Sequence, residues 1–125
     1  MRAKSRVLLP VILTPNFQLK TPMFLAKVEG AVVATKKDVH MVGRKLLLLR
    51  PQLVDDKDPT KFRPGVNTIV AVDSVGAGVD EMVMFTQGSS ARLAPNMKDA
   101  PVDAVIIGIV DSVDVFGKQI YSART

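Results

Sequence analysis

Two short runs in this chain leave no face for water. Residues 104–110 read Ala-Val-Ile-Ile-Gly-Ile-Val, and residues 46–49 are four leucines bracketed by Lys45 and Arg50. Seven apolar residues fall far short of the roughly 20 that a membrane-spanning helix needs. Short apolar runs bounded by turn residues read as strands covered on both faces. In a small all-β domain only one face of a strand meets the core, so the outer faces of these two runs need another cover. A neighbouring subunit is the simplest one and predicts an oligomer. The alternative is the N-terminal segment or the 51–65 loop folding back.

The rest of the chain supplies further strands. Phe24, Ala26, Val28, Gly30, Val32 and Ala34 alternate with Leu25, Lys27, Glu29, Ala31, Val33 and Thr35. This two-residue period, with Lys and Glu on one side, predicts a half-buried strand. Gly30 in its middle predicts a bend or bulge. Residues 36–43 form a polar turn, 45–50 a second strand, and 51–65 a long charged loop. A third strand covers 67–73, a turn 76–78, and a fourth strand 81–86. A loop over 88–93 opens at most one helical turn. The fifth and most apolar strand covers 104–116 and is ended by Gly117. Five short strands punctuated by Gly and Pro predict an all-β fold, a small closed or nearly closed five-stranded barrel. Val-Asp-Ser-Val occurs at 72–75 and again at 110–113, too short a match for an internal repeat.

At 125 residues, a single domain is expected. The net charge of +5 is concentrated at the start, because residues 1–22 hold Arg2, Lys4, Arg6 and Lys20 and no acid. The remaining 13 basic and 12 acidic side chains leave residues 23–125 at +1. A basic face for a phosphate backbone is therefore not demanded. The division predicted is an N-terminal extension, 1–22, and a barrel domain, 23–125. For the extension the leading reading is a mis-assigned start or a loose tail, with Met23 as the start. A partner-binding tail is the second reading. A secretory signal is the third, opposed by Pro10 inside the apolar stretch and by the missing small-residue cleavage site.

The inventory of reactive side chains is poor. With no Cys, there is no disulfide framework, thiolate zinc site or Cys nucleophile. One His, His40, rules out several imidazole ligands within one chain. Gly76-Ala77-Gly78 lacks the third Gly and the helix of a dinucleotide fingerprint and reads as a tight turn. Asp55-Asp56-Lys57-Asp58 lacks the Gly and distal Glu of a calcium loop and reads as a solvated loop. Ser89 and Ser90 have no base nearby in sequence, and Arg92 occupies the place of the last Gly in a nucleophile elbow. A hydroxyl-rich loop with a fixed cation suits intersubunit hydrogen bonding or anion contact better. Asp73, Asp103, Asp111 and Asp114 fall near strand ends, where capping a turn is the default. No catalytic residue, metal or cofactor is expected. The alternative function is an OB-like module for single-stranded nucleic acid, which would need aromatics on an open face. Of Phe17, Phe24, Phe62, Phe85, Phe116 and Tyr121, only Phe24, Phe85 and Phe116 fall on predicted strands, where packing is their expected role.

Several blocks in order resemble one family. They are Met23-Phe24-Leu25-Ala26-Lys27-Val28-Glu29-Gly30, with Val32-Val33-Ala34-Thr35-Lys36-Lys37 after it; Gly43-Arg44-Lys45-Leu46-Leu47; Val70-Ala71-Val72-Asp73-Ser74-Val75-Gly76-Ala77-Gly78; Gly88-Ser89-Ser90-Ala91-Arg92; and Pro101-Val102-Asp103-Ala104 running into Ile106-Ile107-Gly108-Ile109-Val110-Asp111. Together, over about 23–115, they are similar to the bacterial microcompartment vertex proteins of the EutN/CcmL family. Residues 1–22 and the extended 51–65 loop depart from its pattern. The resemblance implies a five-stranded OB-like barrel in a cyclic homopentamer. It also implies a structural, non-enzymatic role at the five-fold corners of a shell in the bacterial cytoplasm, of carboxysome or catabolic type, beside hexameric and trimeric shell proteins. Neither membrane nor nucleic acid is an expected partner. The candidate residues for the subunit interface or five-fold axis are Gly88, Ser89, Ser90, Arg92, Leu47, Leu49, Ile107 and Ile109. Gly76 and Gly78 are the candidates for a backbone-permissive turn.

Overall fold

The alternating stretch after Met23 forms the first strand, and one bulge in it turns a ribbon into a barrel wall. A computed structural model describes residues 22–35, 37–88 and 103–123. Strand β1 (Met23–Val32) pairs antiparallel with β5 (Met82–Gln87) through its first half and with β2 (Lys45–Val54) through its second. Between the halves the register with β2 slips at Glu29, so that Val28 faces Leu49 while Gly30 faces Leu48. An extra residue bends a strand and increases its twist. It also reverses the alternation: Ala26 and Val28 point inward, whereas Gly30 shares the outer face with Leu48. The bulge expected around Gly30 is thus present, but the expected single inward face from Phe24 to Ala34 is cut in two by it.

Strand β2 next pairs with β4 (Ile69–Asp73), β4 runs parallel to β6 (Ala104–Ile109), and β6 pairs back to β5. The order β1-β5-β6-β4-β2 closes through the β1–β2 pairing, giving the predicted five-stranded barrel. Full closure leaves few free backbone edges. Inside lie Ala26, Val28, Leu47, Leu49, Ala71, Val83, Phe85, Ala104 and Ile106, two from most strands, with Ile69 packed against them. Three alanines offset the bulk of Phe85 and the branched side chains, as the narrow interior of a small barrel requires.

Three elements differ from the expectation. The 51–65 segment is not all loop: β2 runs on to Val54 and pairs with a short strand β3 (Phe62–Pro64). The turn between them is built by its own acids. Asp55 Oδ1 accepts the Lys57 N–H at 2.9 Å and Asp58 Oδ1 accepts the Thr60 N–H at 3.1 Å. Bonds from the Thr60 hydroxyl and N–H hold the Asp58 carboxyl below its usual range. These carboxylates are thus occupied in turn formation. The long fifth strand is likewise broken after Ile109. Its second part, β7 (Ser112–Val115), turns at Phe116-Gly117 into an unpredicted strand β8 (Lys118–Ser122). Finally, the polar turn holds a single 3-10 turn, Val39–Met41, capped by Asp38, whose Oδ1 accepts the His40 N–H at 2.8 Å. That bond and the contact with the His40 ring hold the Asp38 carboxyl below its usual range.

Candidate functional site

The outer wall and the loop between β4 and β5 carry the features on which a structural role would turn. The wall is partly self-covered. Leu46, Val72 and Val105 form one outer row across β2, β4 and β6, and Met41 from the 3-10 turn packs against it. Part of the cover assigned to a neighbour therefore comes from the chain's own β1–β2 connection. In the adjacent outer row Gly30 and Leu48 are half-buried and Val70 is 48% exposed. Beside it Arg50 clamps the bulge, bonding Glu29 Oε2 at 3.2 Å and the carbonyls of Gly65 and Val66 at 3.1 Å each.

This arrangement corrects two of the interface candidates. Leu47 and Leu49 are 2% and 0% exposed and belong to the barrel core. Four identical residues carry no signal of which parity faces inward. Pairing of Leu47 with Ala71 and of Leu49 with Val28 sets it, and leaves Leu46 and Leu48 outside. Ile107 stands at a second bulge, between the pairs Met84–Gly108 and Phe85–Ile106, and packs on the outer Val72–Val105 cluster. Ile109 pairs with inward Val83 but lies at the end of β6, where it is half-exposed. Gly88 closes β5 and donates its N–H to the Asp103 carbonyl at 2.8 Å. Ser89, Ser90 and Arg92 lie outside the described residues.

The loop after β4 plugs one end of the barrel. Ala77 is buried in the core, and small residues flank it because the chain must dip inward there. Asp73 holds the loop closed. Its side chain is 1% exposed and accepts the N–H groups of Val75, Gly76 and Ala77 at 3.0, 3.1 and 2.9 Å. Lys45 Nζ lies 3.6 Å from the Asp73 carboxylate and donates to the Ala77 carbonyl at 2.8 Å. Ser74 Oγ donates to the Ile106 carbonyl at 2.6 Å, and the Gly78 N–H to Glu81 Oε1 at 2.6 Å. The turn-capping default was right for Asp73. The lysine was missed, because only the pairing of Lys45 with Asp73 across β2 and β4 brings it there.

The two turn glycines are not equivalent. Gly76 has φ +83°, whereas Gly78 does not lie in the left-handed region. Gly76→Ala is expected to destabilise the chain by about 1 kcal/mol, from the left-handed penalty on any Cβ. Gly78→Ala is expected to stay within about 0.5 kcal/mol, since an added Cβ meets only Glu81 Oε1 at 3.6 Å. Denaturant unfolding of both variants at one protein concentration checks this. Equal losses would refute the distinction.

Among the described residues no three His, Asp or Glu side chains converge on a metal position. An open cleft of about 370 Å³ at the base of the β7–β8 hairpin is lined by Asp111, Ser112, Gln119, Ser122 and Ala123, a single carboxylate among neutral groups. Two of the three aromatics expected to pack do so: Phe85 is buried, and the Phe24 ring lies 5.5 Å from it, tilted by 33°. The nucleic-acid alternative thus finds no support in the barrel.

Comparison with known proteins gives a consistent picture. Residues 23–111 match a family profile described as ethanolamine utilisation protein EutN/carboxysome. The chain is 44% identical over 102 residues to the carboxysome shell vertex protein CcmL of Gloeobacter violaceus, covering 82% of this chain and 96% of that one. The solved structure of that CcmL has a TM-score of 0.70 to this chain at 43% identity, over 82% of this chain and 99% of the other. The bacterial microcompartment shell vertex protein PduN of Salmonella typhimurium is 45% identical over 91 residues, 73% of this chain and 98% of the relative. The structure of GrpN, a pentameric microcompartment shell protein from Rhodospirillum rubrum, gives a TM-score of 0.60 at 39% identity, covering 74% and 99%.

Proposed function

The chain belongs to the EutN/CcmL family, and from that premise we infer that it is a structural shell protein whose pentamer closes the five-fold vertices of a bacterial microcompartment. The observation that carries this reading is the agreement of sequence and fold with shell vertex proteins over nearly their full length. The geometry of shells supports it. Hexagonal tiles alone make a flat sheet, and a closed polyhedron needs pentagons at its corners. Five copies around an axis require a head-to-tail interface in which two different patches of each chain meet. The half-exposed outer row on β1, β2 and β4 suits one of those patches. In this reading the protein sits in the shell within the bacterial cytoplasm and meets hexameric and trimeric shell tiles at its rim. It performs no turnover of its own. The loop from Gly88 through Ser89 and Ser90 to Arg92 is proposed to lie at the interface or axis, and Ile107 and Ile109 to add apolar contact. Residues 23–125 are the unit proposed to assemble.

Native mass spectrometry of the full chain beside residues 23–125 tests this. Five copies in both are expected. A stable monomer in both would overturn the vertex reading. Five copies only from the full chain would make residues 1–22 part of the assembling unit.

A further inference from the structure

The C-terminal hairpin forms a sheet of its own. Strands β7 and β8 pair with each other and with no barrel strand. A two-stranded hairpin alone is marginal in water. Its turn residues, Phe116 and Gly117, both take positive φ, 51° and 77°. Glycine tolerates that geometry, and hairpins usually place Asn or Asp before it, whereas a bulky residue resists it. Phe116 is nevertheless 92% exposed. Within one chain, neither the backbone nor the solvent favours a phenyl group at this tip. Strain that is not relieved locally points to a role elsewhere.

The outer wall offers an apolar surface, the stripe of Gly30, Leu48 and Val70, on which Val70 is 48% exposed. Among the described residues no atom comes within 4 Å of a Cβ built on Gly30, so a side chain can be added at the β1 end of the stripe without a clash.

A head-to-tail ring needs two unlike patches on each chain, turned in different directions. The bare phenyl and the half-exposed apolar stripe are such a pair. We propose that the C-terminal hairpin is an intersubunit arm, with Phe116 of one copy seated on the Gly30, Leu48 and Val70 stripe of the next. This rests on the ring reading above and adds which segment reaches which surface. Burial against a neighbour would remove the bare phenyl at the tip from water.

The absence of Cys makes the test clean. Phe116→Cys and Val70→Cys are introduced together into the full chain, and native mass is measured before mild oxidation. The expected result is five copies, then a covalent ladder up to five on a denaturing gel. Each single variant should give nothing beyond dimer. Five copies without a ladder, or an intrachain disulfide alone, overturns the arm and leaves the ring reading standing. A monomer before oxidation overturns both. A second variant, Gly30→Leu, places a bulky side chain on the stripe. It should leave unfolding of the chain intact, weaken the ring at least tenfold and suppress the ladder in the double-Cys background. A ring and ladder unchanged by it would also overturn the arm.

Discussion

Leu49→Ala and Leu48→Asp, one residue apart, should fail in opposite ways. Leu49 is fully buried and packs in the barrel core. Truncating it removes transfer free energy and leaves a cavity, at a cost of about 2–5 kcal/mol. The ring, where enough folded chain remains, should keep its stoichiometry. Leu48 is on the outer face, paired with Val70 and Gly30, and its side chain leaves the interior untouched. Leu48→Asp should therefore change the stability of a lone barrel by less than about 1 kcal/mol, as surface substitutions do. An unpaired carboxylate buried between subunits costs about 3–5 kcal/mol, which at 1.4 kcal/mol per decade is a hundredfold or more in association. Denaturant unfolding and native mass at matched concentrations separate the two, a precaution needed because assembly itself stabilises the folded chain. If Leu48→Asp unfolds the barrel, or Leu49→Ala leaves stability unchanged, the assigned parity of β2 is wrong.

That parity marks the limit of what the sequence could tell. The closed barrel was legible because Lys27 and Glu29 label the wet side of β1, and because Gly and Pro separate the strands. Four leucines in a row carry no such label, so the inward pair was read as the outward pair. The bulge at Glu29 was foreshadowed by Gly30, but its effect, swapping faces from there on, follows only from pairing with β2. Strand β8 was missed because Phe116-Gly117 lacks the Asn-Gly or Asp-Gly signature of a two-residue hairpin turn. Strand β3 was missed because it is short and ends in Pro64, which suits a strand edge but reads as a loop. The need for cover on the apolar runs was legible, but not its source. Met41, however, covers the row of Leu46, Val72 and Val105, a contact between a turn and a wall that no local pattern encodes. Of the candidate site, the tight turn at Gly76 was legible from composition, while its tie to Lys45 was not.

Asp73→Ala should be the costliest single change outside the apolar core. The carboxylate is shielded from water, satisfies three successive backbone N–H groups and faces an ammonium group. A hydrogen bond to a charged group contributes about 1.5–3 kcal/mol, and such bonds to one carboxylate are not additive. Val75 and Gly76 lie at the exposed side of the loop, where water can replace Asp73. Ala77 is in the core, where water cannot. The expected loss is therefore about 2–4 kcal/mol. Lys45→Met should cost less, about 1 kcal/mol at most, because its side chain is 54% exposed and a solvated pair contributes little. The two losses should also couple, since Lys45 and Asp73 grip the same residue from its carbonyl and its N–H. A double-mutant cycle by urea unfolding measures the coupling. Hydrogen exchange at the Ala77 amide reports whether the loop opens ahead of the barrel. A loss below about 1 kcal/mol for Asp73→Ala, with protection at Ala77 retained, would mean that the Gly-Ala-Gly backbone holds the plug without the carboxylate. The expected result, early opening at Ala77, would instead make the Asp73 carboxylate the group that keeps this end of the barrel shut.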